Sequence, residues 1–217
     1  MAREIWGVDS AARVTESLYQ CVVENYGVPK YWGRYLSTVP NVSDGLDAQE
    51  IRFLRQKGIK ILPIYNDYTS AVGYDKGKVA ARNAIFHAKR LKAPKGTFLF
   101  GNTEKFFQID EAWIRGWVDT MYTSNYRPGI YGDPSTAVFN EAYCTAVSNN
   151  ERVSEQLVIW SQEPTPGVTK KGNAPSYKPI VPPCIANVWA WQYGENAPDC
   201  PIDTNLMDRR LFENIWG

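Results

Sequence analysis

IKILPIYN (59–66), then Val79, Ala80, Ala84, His87 and Leu91 at helical spacing with Pro94 as a stop, then TFLFGN (97–102): this stretch sets the rhythm of the chain. The two apolar runs, rich in β-branched and aromatic residues, read as buried strands. The stripe between them recurs with the period of a helix that buries one face. A strand, a helix and a strand in succession is the unit from which parallel sheets are built.

The same unit repeats on both sides. Toward the start lie IWGVD (5–9), a helical pattern of Leu18, Cys21, Val22 and Tyr26 closed by Gly27, and YWGRYL (31–36). Asp47-Ala48-Gln49-Glu50 then resembles a capping box, in which a side-chain oxygen meets the orphan amides of a new helix. Ile51 and Leu54 face inward and Gly58 ends it. Beyond 102, Asp110 caps a helix carrying Trp113, Ile114, Trp117, Val118 and Met121. GIYG (129–132) is a fifth strand, a helix runs from about 135 to 149, and 157–160 is a sixth strand.

After that the rhythm stops. Residues 161–183 hold Pro164, Pro166, Pro175, Pro179, Pro182 and Pro183, which forbids a regular helix and suits a long loop. The seventh strand (185–193) reaches the eighth (202–206) through a connection too short for a crossover helix, so the pair is antiparallel. Eight strands and about five helices predict one α/β domain over residues 1–217. Its architecture is a (β/α)8-type, TIM-like barrel with a degenerate last third. A doubly wound open sheet is the alternative, but it would be expected to carry a glycine-rich phosphate loop, and none is present.

Composition narrows the function. The 217 residues carry 24 Lys and Arg against 23 Asp and Glu, so the chain is not built as an electrostatic binder of nucleic acid or of an anionic membrane. Mean hydropathy is −0.39 and apolar runs are short, far from the roughly 20 residues of a membrane helix. Aromatics are plentiful, at 13%, and serve first as core and second as stacking surfaces for a ligand. Cys21, Cys144, Cys184 and Cys200 form no close pair, and His87 is the sole histidine. Neither a zinc site nor a histidine-dependent triad is expected, and nothing asks for a cofactor. Two of the cysteines lie in helical patterns, where a buried free thiol is the default. Disulfides are possible without being demanded. The opening Met1-Ala2-Arg3-Glu4 leads straight into a strand, which predicts no signal peptide; compartment and oligomeric state are not legible.

In a barrel of this kind the working residues stand at the carboxyl ends of the strands. Those ends supply Asp9, Tyr65, Asn66, Asn102 with Glu104, Tyr131 and Gln192. An antiparallel eighth strand brings its beginning, Asp203, to the same rim. Alternation places Phe98, Phe100, Asn102 and Glu104 on one face, with the phenylalanines lowering the dielectric beneath Glu104 as a general acid requires. Carboxyls across a cleft are the equipment for cleaving a glycosidic bond. Arg34, between Trp32 and Leu36, is read as turned inward and paired with Asp9.

Gly7-Val8-Asp9, the YWGRYL run, Asp47 to Ile51, Leu62 to Tyr65, Gly129 to Gly132, Trp191-Gln192-Tyr193 and Ile202-Asp203 together resemble a glycoside-hydrolase-like barrel family of unknown function. That family is related to the glycoside hydrolase family 25 lysozymes of Gram-positive cell-wall biology. The resemblance implies action on peptidoglycan or another cell-wall polysaccharide, outside the cell. It also implies Glu104 as general acid with Asp9 and Asp203 beside it, and Asn102, Gln192, Tyr131, Tyr65, Arg34 and Asn66 toward the substrate. The competing reading is a barrel that binds glycan or a partner without cleaving it. In the lysozymes an Asp stands where this chain has Asn102. An amide can hold a sugar acetamido group, but it cannot offset developing positive charge.

Overall fold

In the computed structural model of the protein, which describes residues 4–104 and 108–217, eight strands close on themselves in sequence order. They are β1 (Ile5–Asp9), β2 (Tyr31–Tyr35), β3 (Lys60–Tyr65), β4 (Phe98–Thr103), β5 (Arg127–Gly132), β6 (Val158–Gln162), β7 (Asn187–Gly194) and β8 (Asp203–Met207). All neighbours run parallel except β8, which is antiparallel to both β7 and β1. The barrel and its reversed last strand are those expected from the sequence. Met1–Arg3, the basis of the signal-peptide reading, lie outside the described residues.

The helices are α1 (Glu16–Asn25), α2 (Ala48–Gln56), α3 (Tyr74–Arg90), α4 (Glu111–Tyr122), α5 (Ala137–Asn149), α6 (Arg152–Gln156) and α7 (Arg209–Phe212). Two of these, α6 and α7, are too short to leave a periodic signature and were not expected. Asp110 accepts from the Trp113 amide and so caps α4, and Asp47 caps α2 through the amides of Gln49 and Glu50. The proline-rich segment after β6 carries only a 3-10 turn at Lys171–Asn173.

Strand alternation divides the apolar residues into two cores. One lies between strands and helices and includes Trp32, Tyr65, Trp113, Trp117, Trp191 and Tyr193. The other fills the barrel with Tyr31, Leu62, Phe98, Phe100, Trp160 and Met207 among others. Gly33 lies at a close approach beside the rim. A Cβ there would lie 2.5 Å from the Asp9 Cβ and 2.8 Å from the Trp160 ring, so the missing side chain makes room for both.

The four cysteines form two disulfides, Cys21–Cys200 and Cys144–Cys184, which replaces the expectation of buried thiols. Sequence distance hid the pairing. Closure of β8 onto β1 carries the turn before β8 to α1, 179 residues away in the chain. Cys144–Cys184 ties the end of the proline-rich loop to α5, where Tyr143 also donates to the Ile185 carbonyl. Replacing both Cys144 and Cys184 with Ala removes that restraint on the unfolded chain, a cost of about 2–4 kcal/mol. The double variant is expected to melt several degrees lower and to be cut within 163–186 under limited proteolysis. Unchanged melting and protease resistance would show the link to be dispensable.

Candidate functional site

Asp9 ends β1 and Asp203 begins β8, and the antiparallel register sets them directly opposite each other at the opening. Both point inward because they share parity with Gly7 and Asn205, respectively, on strands whose other face meets the helices. The Gln192 side-chain amide bridges them, donating to Asp9 Oδ2 at 3.1 Å and Asp203 Oδ2 at 3.2 Å. Tyr131 in turn donates to Gln192 Oε1 at 2.8 Å, which settles which way that amide faces. A second chain runs from the Trp160 indole to Asn205 Oδ1 and from Asn205 Nδ2 to Asp9 Oδ2, at 2.9 and 2.6 Å. The Asp203 Oδ1 accepts the backbone amide of Asn196 at 2.7 Å.

Desolvation dominates the electrostatics here. It pushes the Asp9 carboxyl up to about 6, against the opposing hydrogen bonds from Asn205 and Gln192, and the charges of Glu104 and Glu195 add to the rise. Burial and the neighbouring Asp9 push Asp203 up to about 8. The two titrate as a pair that retains a proton into the neutral range. Because the folded state binds protons more tightly than the unfolded chain, this pair favours folding least at high pH. Its penalty is absent below about pH 4, where both states are protonated, and grows until about pH 8. Asp9→Asn keeps an oxygen for Gln192 and Asn205 while removing the charge. It is expected to raise Tm by about 4–10 °C at pH 8, from roughly 2–3 kcal/mol, with the gain vanishing near pH 4. A gain independent of pH in thermal melts would contradict this account.

Glu104 follows β4 by one residue and is half-buried, with its backbone amide donating to Asn102 Oδ1 at 2.9 Å. The Asn102 carbonyl accepts from Tyr68 at 2.7 Å, so the end of β4 is pinned from two sides. Asn66 is buried. Its Nδ2 donates to the Ser43 hydroxyl, while its Oδ1 has no partner among the described residues.

Two expected site residues lie elsewhere. Arg34 does not pair with Asp9. Asp9 is in register with Gly33, so Gly33 shares the inner face and Arg34 turns to the helix side. There it is wholly buried and donates to Glu50 at 2.6 Å and to the carbonyls of Ser10, Ala11 and Asp44. Tyr65 has the opposite parity to Asn66 and packs among the helices near His87, its hydroxyl directed to the Asp67 carbonyl. Gln192 and Tyr131 do reach the opening, but they are buried and spend their polar atoms on each other and on the acids.

The structure adds residues not singled out beforehand. Asn205 holds Asp9 and is itself held by the indole of Trp160, an aromatic at a strand end that is enclosed in the barrel core. Tyr35 reaches the same place, and burial together with the charges of Glu104, Asp9 and Asp203 keeps its phenol protonated far above the usual range. Glu195, in the β7–β8 turn, accepts from Gln162 at 2.6 Å and raises both aspartates. Inward parity on β2 and β8 was the available signal for Tyr35 and Asn205. Glu195 had none, because a turn residue's direction depends on the turn. Among the described residues, no group of three His, Cys, Asp or Glu is arranged to hold a metal ion.

The closed barrel thus sets Asp9 and Asp203 opposite each other on one rim, with the charge of Glu104 acting on Asp9. The chain belongs to the family described as Rv2525c-like, glycoside hydrolase-like domain, which matches residues 29–174. An uncharacterized B. stearothermophilus protein of known crystal structure is 58% identical, with a TM-score of 0.96 over 98% of this chain and 100% of that one. The Mycobacterium tuberculosis Tat-secreted protein Rv2525c, crystallised with HEPES, is similar at 14% identity and a TM-score of 0.64, covering 98% and 99% of the two chains. The catalytic domain of endolysin ply40 from bacteriophage P40 of Listeria monocytogenes is similar at 16% identity and a TM-score of 0.60, covering 97% and 96%. At such identities the last two share the fold. No curated protein matches the chain.

Proposed function

We propose that this protein is a glycosidase of the cell wall that cleaves peptidoglycan between sugars. The observation that carries the reading is the amide-bridged pair of buried Asp9 and half-buried Asp203, with the charge of Glu104 acting on Asp9. Burying two carboxyls side by side costs stability, and such an arrangement is typical of groups tuned for proton chemistry. The similar folds of an endolysin catalytic domain, a spore cortex lytic enzyme and a muramidase support the same reading.

In this reading Glu104, half-buried at the end of β4, donates a proton to the glycosidic oxygen. Asp9, held as an anion by two amide donors, faces the positive charge that develops at the anomeric carbon. Asp203 keeps the pair's remaining proton and helps place the attacking water, whose proton passes to the Asp9 carboxylate as its oxygen bonds the anomeric carbon and the glycosidic bond breaks. Asn102 offers its Nδ2 to a substrate carbonyl, and Asn66, whose Oδ1 is enclosed by the protein, holds the Ser43 hydroxyl behind the rim. Gln192 and Tyr131 hold the acids in place. The two disulfides favour assembly in an oxidising compartment, which suits a substrate outside the cell. No helix among the described residues is long and apolar enough to cross a membrane.

Incubation with purified peptidoglycan, followed by reducing-end and fragment analysis, tests the proposal. Soluble fragments with new sugar reducing ends are the expected result. Binding to the sacculus without any release would instead favour the non-cleaving barrel, a reading supported by Asn102 where the lysozymes carry an acid.

A further inference from the structure

A fourth acid stands beside the pair, and the chain holds it there deliberately on both sides. Gln162 and Gln192 lie opposite each other in the β6–β7 register, and each donates its side-chain amide to carboxylates at the rim. Gln192 bridges Asp9 and Asp203, while Gln162 Nε2 donates to Glu195 Oε1 at 2.6 Å. Glu195 is half-buried and follows β7 directly. The next backbone amide, that of Asn196, donates to Asp203 Oδ1 at 2.7 Å. Asn196 has a φ of 58°, the left-handed conformation that asparagine tolerates better than most residues. The turn is thus tied to the rim twice, through Gln162 at Glu195 and through Asp203 at Asn196.

Charge is unbalanced at this place. Among the described residues none of Asp9, Asp203 and Glu195 makes an ion pair. The other titratable groups that face the pair are Glu104 after β4, the phenols of Tyr31 and Tyr35 on β2, and that of Tyr131 on β5. Arg34 lies on the far face of β2 with Glu50.

Anchoring alone does not explain a carboxylate at position 195. The Gln162 Oε1 is buried and has no hydrogen-bond partner among the described residues. A glutamine at 195 would bring N–H groups to that side; a glutamate brings none and adds a negative charge where acids already crowd. An unpaired buried acceptor and neighbouring like charges both cost stability, a combination found where function sets the charge.

We propose that Glu195 is a positioning residue of the acid site: anchored by Gln162, it fixes the turn that aims the Asn196 amide at Asp203, and its negative charge acts on the pair. The consequence is that the two aspartates give up their shared proton at higher pH than they would without it. Burial is the largest cause of that retention, and the charge of Glu195 adds to it.

Glu195→Gln keeps an acceptor for Gln162 and removes the charge. Followed by 13C NMR across a pH series, the Asp203 carboxyl carbon is expected to titrate lower than in the native protein by about half a pH unit or more. The Asn196 amide proton stays in place, and the alkaline limb of any fragment release moves to lower pH with Asp203. Glu195→Ala also removes the anchor, and the Asn196 amide proton is expected to move upfield as its bond to Asp203 lengthens. Unchanged titration of Asp203 in Glu195→Gln overturns the proposal, as does an unmoved Asn196 amide in a folded Glu195→Ala protein. The inference rests on the pair being the working acids. Because the titration needs no substrate, absence of release would remove that reading and leave this one to its own measurement.

Discussion

Glu104→Gln is expected to lower fragment release from purified peptidoglycan by about a thousandfold, while binding to the sacculus stays within about threefold. A positioned general acid contributes typically 10²–10⁴-fold, and an amide of the same shape cannot supply the proton. Glu104 stands just past β4, with its backbone pinned through Asn102 and its side chain half-buried, so the substitution leaves the local chain undisturbed. Loss of release with retained binding separates proton donation from substrate contact. If release survives in the variant, the acid is another group, and Asp203, which keeps its proton into the neutral range, becomes the first to test.

The second large effect concerns the buried ion pair behind the rim. Glu50→Ala is expected to destabilise the protein by about 3–5 kcal/mol, seen as a fall in Tm of about 10 °C or more. Both side chains are fully buried. Removing the acid would leave the Arg34 guanidinium without its counter-charge and the Val14 amide without an acceptor. Through Arg34 the pair also gathers the carbonyls of Ser10, Ala11 and Asp44, that is, the loops after β1 and β2. Since Ser10 follows Asp9 directly, release is expected to fall in the same variant even below its melting temperature. The double variant Arg34→Met with Glu50→Leu fills the space without charge and is expected to recover much of the stability. If Glu50→Ala melts as the native protein does, the pair is not structural in this sense.

The placement of Arg34 shows where reading a strand by itself fails. Gly33 and Arg34 are adjacent, and nothing within YWGRYL states which of them faces the barrel. The register with β1 decides it, because Asp9 lies beside Gly33 and there is space for only one of the two side chains. The same shift of one residue separates Tyr65, which packs outward, from Asn66. Glu50 was visible as part of a capping-box pattern. Asp47 alone satisfies the amides of the helix start, which frees Glu50 for Arg34.

The barrel itself and the return of its last strand were legible in the chain, because period, stop residues and connection length are local properties. So was the gathering of Asp9, Glu104 and Asp203 at one end, which follows from strand order alone. Tertiary structure decided the rest: the two disulfides, the bridge that Gln192 makes between two acids, and the outward turn of Arg34 toward Glu50. These depend on which residues 11 to 183 positions apart come to touch. Such contacts are set by how the sheet closes and in what register, and that is a property of all eight strands together.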